Sequence, residues 1–188
     1  MRLRIKLDEI TMTQAEAESL ARHESSRSAG VPDQHVGKQS GKVMDLVGLL
    51  GEIAFSRLFS MERDDTVSPR SGTVDFMAGN GQSVEVKSSH YPNPHLLVPS
   101  YEINGQITTK ELVDIYVLMR VEYNDRAVTF MGWAERSEVI RPDRLQHFRG
   151  AGRLSFVVPP EEMRQLDDMT ATWLAAGLKA KGEIVELT

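Results

Sequence analysis

The chain has 188 residues, 40% of them hydrophobic and 26% charged, with a net charge of −5 and no cysteine. That length suits one domain with a sizeable core, and the lack of cysteine excludes disulfides and thiolate metal ligands and fits a reducing compartment. Met1 to Leu7 holds no apolar stretch of signal-peptide length and no run approaches membrane-spanning length, so a cytoplasmic protein is expected.

In chain order, residues 2 to 7 alternate Arg2, Arg4 and Lys6 with Leu3, Ile5 and Leu7, the pattern of a half-exposed strand. Thr13, with Glu16 three residues on, reads as a capping box and predicts a helix over about residues 14–26. The polar, breaker-rich run from Ser25 to Pro32 ends it. A second helix is predicted over 41–59, where Met44, Val47, Leu50, Ala54, Phe55 and Leu58 form a broad apolar face. Leu46, Leu49 and Ile53 extend it to another side, which leaves only a narrow stripe of Asp45, Gly48, Glu52 and Ser56. Glu52 leans back over Gly48. Gly48 and Gly51 each cost roughly 1 kcal/mol relative to alanine inside a helix. Two such losses predict that something approaches this helix closely.

Thr66 to Ser68 reads as a short strand and Pro69 to Gly72 as a turn. Val74 to Met77 and Gln82 to Ser88 then read as two strands joined by Ala78-Gly79-Asn80-Gly81, whose Asn-Gly and flanking glycines accept the positive φ of a tight hairpin. Along the second strand Val84 and Val86 share one face and Glu85 and Lys87 the other, roughly 6.6 Å apart. The hairpin brings Asp75 beside them. Two carboxylates converging with a lysine suit a hard divalent cation. The lysine can then orient a water or stabilise developing negative charge. The same charges also read as a cross-strand salt bridge on a surface hairpin.

These residues resemble the PD-(D/E)xK nuclease superfamily, whose motif places an Asp at the start of a hairpin and Glu-x-Lys on its next strand, often with a Glu on a preceding helix. The matching positions are Asp75, Glu85, Lys87 and Glu52, and Val74 stands where the name-giving proline would be. Gly48 to Phe55 resembles the helix that supplies the extra acid. Asp114 to Glu122 followed by Gly132 to Glu138 resembles the strand pair and short helix after the catalytic hairpin. The resemblance implies an α/β (mixed α+β) restriction-endonuclease-like core, a central mixed sheet flanked by helices in αβββαβ order. It spans residues 41–140, with 1–40 and 141–188 as extensions of a single domain. The implied activity is Mg²⁺- or Mn²⁺-dependent hydrolysis of DNA. Asp75, Glu85 and Glu52 would serve as metal ligands, with Lys87 as the fourth catalytic residue. A small phage or bacterial enzyme acting as a homodimer is expected. A resolvase of Holliday junctions or branched DNA, an RNA-directed nuclease, or a non-catalytic nucleic-acid-binding protein of the same fold are the alternatives.

Ser88, Ser89, His90 and Tyr91 leave the Glu-x-Lys strand as a polar, aromatic loop suited to phosphate or base contact. Arg141, Arg144, Arg149 and Arg153, with His147, form a second candidate phosphate patch, or equally a solvated face. Arg2, Arg4 and Lys6 are a third. His90 and His95 lack the convergent ligands of a zinc site. No dinucleotide-binding or P-loop glycine signature occurs, so no nucleotide cofactor is expected.

The remaining elements read as follows. Residues 100–112 predict irregular structure or a short helix near 108–112. Residues 114–122 predict a strand buried on both faces, paired with 127–133 across a turn at Asn124-Asp125. Ala134 to Pro142 predicts a short helix and Leu154 to Val158 a strand. Glu161 to about Lys181 predicts a helix, and Ile184 to Leu187 a last strand.

Overall fold

The computed structural model describes residues 2–30, 40–63, 74–109, 112–148, 154–165 and 184–187. In chain order its elements are β1 (Arg2–Lys6), α1 (Glu9–Ser28), α2 (Gly41–Phe59), β2 (Phe76–Met77), β3 (Ser83–Ser89), β4 (Leu96–Pro99), β5 (Tyr101–Ile103), β6 (Gln106–Thr108), β7 (Ile115–Glu122), β8 (Ala127–Glu135), α3 (Arg136–Val139), β9 (Leu145–His147), β10 (Leu154–Val158) and β11 (Ile184–Leu187). They build a mixed α/β structure with a curled mixed sheet flanked by helices. The main sheet runs β11-β1-β8-β7-β3-β2, parallel only between β3 and β7. A three-stranded sheet, β4-β10-β9, and the hairpin β5–β6 stand apart from it.

Strand β7 divides the interior. Ile115, Val117, Met119 and Val121 point into one core with α1 and α2, through residues such as Ala15, Leu50 and Phe55. Tyr116 and Leu118 point into a second core with Leu96, Phe156 and Val139. The nearly unbroken apolar run of β7 is thus used on both faces, as expected for a central strand. β8 keeps both cores filled with a bulge: the register shifts at Leu118/Met119, where Gly132 pairs with Leu118 and Phe130 with Met119. Gly132 has φ 147°, and a β-carbon there would lie 2.7 Å from Met163 Cβ and 2.9 Å from the Arg164 carbonyl oxygen. Its bareness lets the segment after β10 dock. Trp133 N–H donates to the Arg164 carbonyl at 3.0 Å, and Arg164 N–H returns a bond to Trp133 at 2.9 Å.

Several elements differ from expectation. Helix α1 starts at Glu9 rather than near residue 14, because Asp8 is the N-cap and its Oδ1 accepts the Thr11 N–H at 2.7 Å. Residues 101–108 form a hairpin rather than irregular chain. Asn104 (φ 53°) and Gly105 (φ 76°) are the two loop residues, both in the left-handed region that a tight hairpin turn uses. The expected helix from Glu161 begins as a short 3-10 turn at Pro160–Glu162, and Met163 then turns to extended backbone. Its remainder beyond Gln165 lies outside the described residues, as do the expected strand at 66–68 and turn at 69–72. The crossover from β3 to its parallel neighbour β7 carries strands β4 to β6 and no described helix. Among the described residues no helix is long and apolar enough to cross a membrane.

Candidate active site

The turn between β2 and β3 forms as its glycines demand. Ala78 N–H donates to the Gln82 carbonyl and Gly81 N–H to the Ala78 carbonyl, each at 2.8 Å, with Gly81 at φ 84°. Phe76 pairs with Val84 and Met77 with Ser83, after which β2 ends. Beyond that point no described strand lies beside the outer edge of β3. Asp75 meets that edge: its Oδ2 accepts the Val86 N–H at 2.7 Å.

The register with β7 fixes which way the site faces. Glu85 pairs with Tyr116 and Lys87 with Leu118, so both charged side chains lie on the second-core face. Val84, Val86 and Ser88 pair with Ile115, Val117 and Met119 and face α2. Glu85 is 6% exposed, a depth at which a carboxylate needs compensation. Lys87 supplies it, its ammonium donating to Glu85 Oε1.

Glu52 comes from α2, on the other side of β3. Its Oε2 lies 3.3 Å from Arg22 Nη1 of α1. Burial raises the Glu52 carboxyl above its ordinary value, Arg22 and Arg63 pull it back, and the charge of Glu85 adds to the rise. Glu52 and Glu85 therefore sense each other although they belong to opposite sides of the strand. Arg22 also holds Glu18 Oε1 at 2.9 Å, and Arg63 grips both Glu18 oxygens at 2.6 and 2.9 Å. Glu18, Arg22 and Arg63 were not among the candidates. Glu18 and Arg22 stand at i,i+4 on a helix, a spacing common to surface ion pairs, and nothing local links them to Glu52.

The donor set is all carboxylate oxygen, the chemistry a hard cation takes. Among the described residues no three His, Asp or Glu side chains form a metal-binding group. Glu85 and Glu52 instead face Lys87 and Arg22. The donors fit a divalent cation chemically, and their present engagements are with cationic side chains and a backbone N–H.

The nucleic-acid candidates separate. Ser88 turns away from Lys87 and lies under Gly51 of α2. Ser89 shares the Glu85–Lys87 face, and its Oγ accepts the Tyr91 N–H at 3.2 Å. His90 and Tyr91 stack on each other with centroids 4.7 Å apart, and Tyr91 is 50% exposed. Arg141 pairs with Asp143 at 2.7 Å and Arg144 with Glu162 at 2.8 Å. Arg4 pairs with Glu122 at 3.1 Å and Asp125 at 2.7 Å. The positive charge of these arginines is thus matched locally. Arg149 and Arg153 lie outside the described residues. Set against protein-family profiles, curated proteins and solved structures, the chain finds no match.

Proposed function

We propose that this chain is a metal-dependent DNA endonuclease of the PD-(D/E)xK kind, with a restriction-endonuclease-like core. One observation carries the reading. Glu85, buried on β3, is paired with the partly exposed Lys87, Asp75 caps the edge of the same strand, and the partly buried carboxylate of Glu52 comes from α2 across that strand. Carboxylates from a helix, a hairpin start and a strand are what a cation-binding phosphodiesterase needs, and they are a poor investment for stability alone. The order of α2, the β2–β3 hairpin, the β7–β8 pair and α3 adds support.

Asp75, Glu85 and Glu52 would hold Mg²⁺ or Mn²⁺. When bound, the cation lowers the pKa of a water and neutralises phosphate charge. Lys87 orients the attacking water and stabilises the charge that develops on the phosphorane oxygens. Its ammonium, shared with Glu85, is directed by that carboxylate rather than by solvent. A homodimer acting on two-fold DNA is part of the proposal.

The test is cleavage of plasmid, linear, single-stranded and branched DNA with Mg²⁺, Mn²⁺ or EDTA, beside Lys87→Ala and Asp75→Ala. Metal-dependent cutting that disappears in both folded variants supports the assignment. Cutting that survives in both overturns it. The preferred substrate separates a branched-DNA resolvase from a restriction-like enzyme, and an RNA arm tests the ribonuclease alternative. The ion pairs Lys87–Glu85 and Arg22–Glu52 favour a second reading, a non-catalytic nucleic-acid-binding protein in which these charges balance one another. DNA binding without cutting under any metal would select it.

A further inference from the structure

We infer that Arg22 is the positioning residue for Glu52, and that α1 is thereby part of the active site rather than an extension beside it. The inference rests on the nuclease reading above.

A continuous chain of charges links the two helices. Arg63, just after α2, grips Glu18 of α1 with both Nη atoms. Glu18 holds Arg22 Nη2 at 2.9 Å one helical turn on, and Arg22 Nη1 reaches back to Glu52 Oε2 in the middle of α2 at 3.3 Å. The side chains of Arg63, Glu18, Arg22 and Glu52 are 13%, 19%, 24% and 19% exposed, so solvent screens the links little. The bidentate Arg63–Glu18 fork supplies geometry as well as charge.

Glu52 is partly buried, its side chain 19% exposed. A carboxylate at the edge of the packed interior keeps some rotamer freedom unless a directional partner removes it. Arg22 is that partner, and a guanidinium anchored at its other end by Glu18 can act only from a fixed direction. Groups that orient a metal ligand in this way typically change metal affinity 10–100-fold when removed.

The test is Mn²⁺ binding by isothermal titration calorimetry on the full chain, with no cleavage required. Wild type, Arg22→Ala, Glu52→Gln and the double variant form a cycle. The expected result is a loss of Mn²⁺ affinity of roughly 10–100-fold in Arg22→Ala. The double variant should bind no more weakly than Glu52→Gln alone, because Arg22 acts through Glu52. Arg22→Lys should recover part of the loss, since an ammonium reaches one carboxylate but cannot fork between two. Unchanged or tighter binding in Arg22→Ala overturns the inference, as do additive losses in the double variant. Should Arg22→Ala fail to fold, Glu18→Gln removes the anchor one step back and enters the same cycle, where unchanged affinity overturns the inference equally. A wild type that binds no Mn²⁺ overturns the metal-site reading and the inference together. Binding that depends on Glu52 but not on Arg22 overturns the inference alone.

Discussion

Gly51 of α2 lies directly against Ser88 of β3: a β-carbon on Gly51 would clash with Ser88 Oγ and stand 2.9 Å from Ser88 Cβ. This contact sets how closely the helix that carries Glu52 approaches the strand that carries Glu85 and Lys87. Rotating Ser88 relieves the hydroxyl clash, but its Cβ is fixed to the strand, so helix and sheet must separate to admit a methyl group. Gly51→Ala is expected to destabilise by about 1–3 kcal/mol despite the helix-propensity gain. Gly48→Ala, with nothing near the added carbon, is expected to stabilise by roughly 0.5–1 kcal/mol. Urea unfolding of the two variants checks both signs. Equal effects would mean that the crossing is looser than the contact implies.

The two glycines show what could be read from the chain and what could not. That two glycines in α2 call for a close approach was legible from helix propensity. Which of them is used, and against which residue, depends on pairing between segments far apart in sequence. The β2–β3 hairpin and the β7–β8 pair were legible because turn chemistry and apolar runs are local signals. The β5–β6 hairpin carried the same Asn-Gly signal at Asn104-Gly105. That signal is not enough alone, because Tyr101 to Thr108 lacks a buried apolar face: Ile103 and Ile107 are 46% and 52% exposed. The start of α1 is hidden in the sequence because the capping-box spacing from Thr13 to Glu16 is a stronger local signal than the lone Asp8 that caps the helix. Arg22 and Glu18 had no local signal, since only the packing of α1 on α2 turns an ordinary helical ion pair toward Glu52.

Asp114 gives an acid-side prediction. Its Oδ2 accepts the Ser83 N–H at 2.9 Å and the Ser83 hydroxyl at 2.8 Å, which joins the start of β7 to the start of β3. These bonds hold its carboxyl below the ordinary aspartate value, with a small pull from Arg136. A folded pKa below the unfolded one means that the unfolded chain takes the proton first. The stabilisation is therefore present above about pH 4, near the unfolded value, and is lost as pH falls through the folded value. Since Asp114 is partly exposed, its share is about 1 kcal/mol or less. Asp114→Asn should lower the urea midpoint at pH 6 and converge on wild type only as pH falls below the folded value. A gap that stays constant with pH would show that the two Ser83 bonds act independently of charge.

Tyr91 offers a prediction on substrate binding that does not depend on catalysis. Its ring stacks on His90 through one face and is half exposed, a few residues past Lys87. An exposed ring next to the proposed active site is a place for an unpaired base to stack, worth about 1–3 kcal/mol per base. Tyr91→Ala is expected to weaken binding of single-stranded DNA roughly tenfold, with Tyr91→Phe near wild type, since stacking needs the ring and not the hydroxyl. Fluorescence anisotropy in EDTA measures this without cleavage. Equal losses in both variants would assign the effect to the hydroxyl instead.

Lys87 and Glu85 separate a catalytic pair from a structural one. Glu85 is buried, and Lys87, with 32% of its side chain exposed, supplies its counter-charge. Lys87→Met leaves the buried carboxylate with that charge gone. After discounting for the exposed ammonium, the loss should be about 1–3 kcal/mol. Glu85→Gln leaves the ammonium able to turn to solvent, so it should cost less. The double variant should be less destabilised than Lys87→Met alone, because it no longer buries a charge. A divalent cation replaces the missing positive charge if the site binds one. Millimolar Mn²⁺ should therefore raise the melting temperature of Lys87→Met and leave the double variant nearly unmoved, following the ligand-linkage relation. Thermal melts with Mn²⁺ and with EDTA read this directly. An Mn²⁺ shift equal in both variants would place the cation away from Glu85. No shift in either would favour the reading in which Lys87 and Glu85 only balance each other.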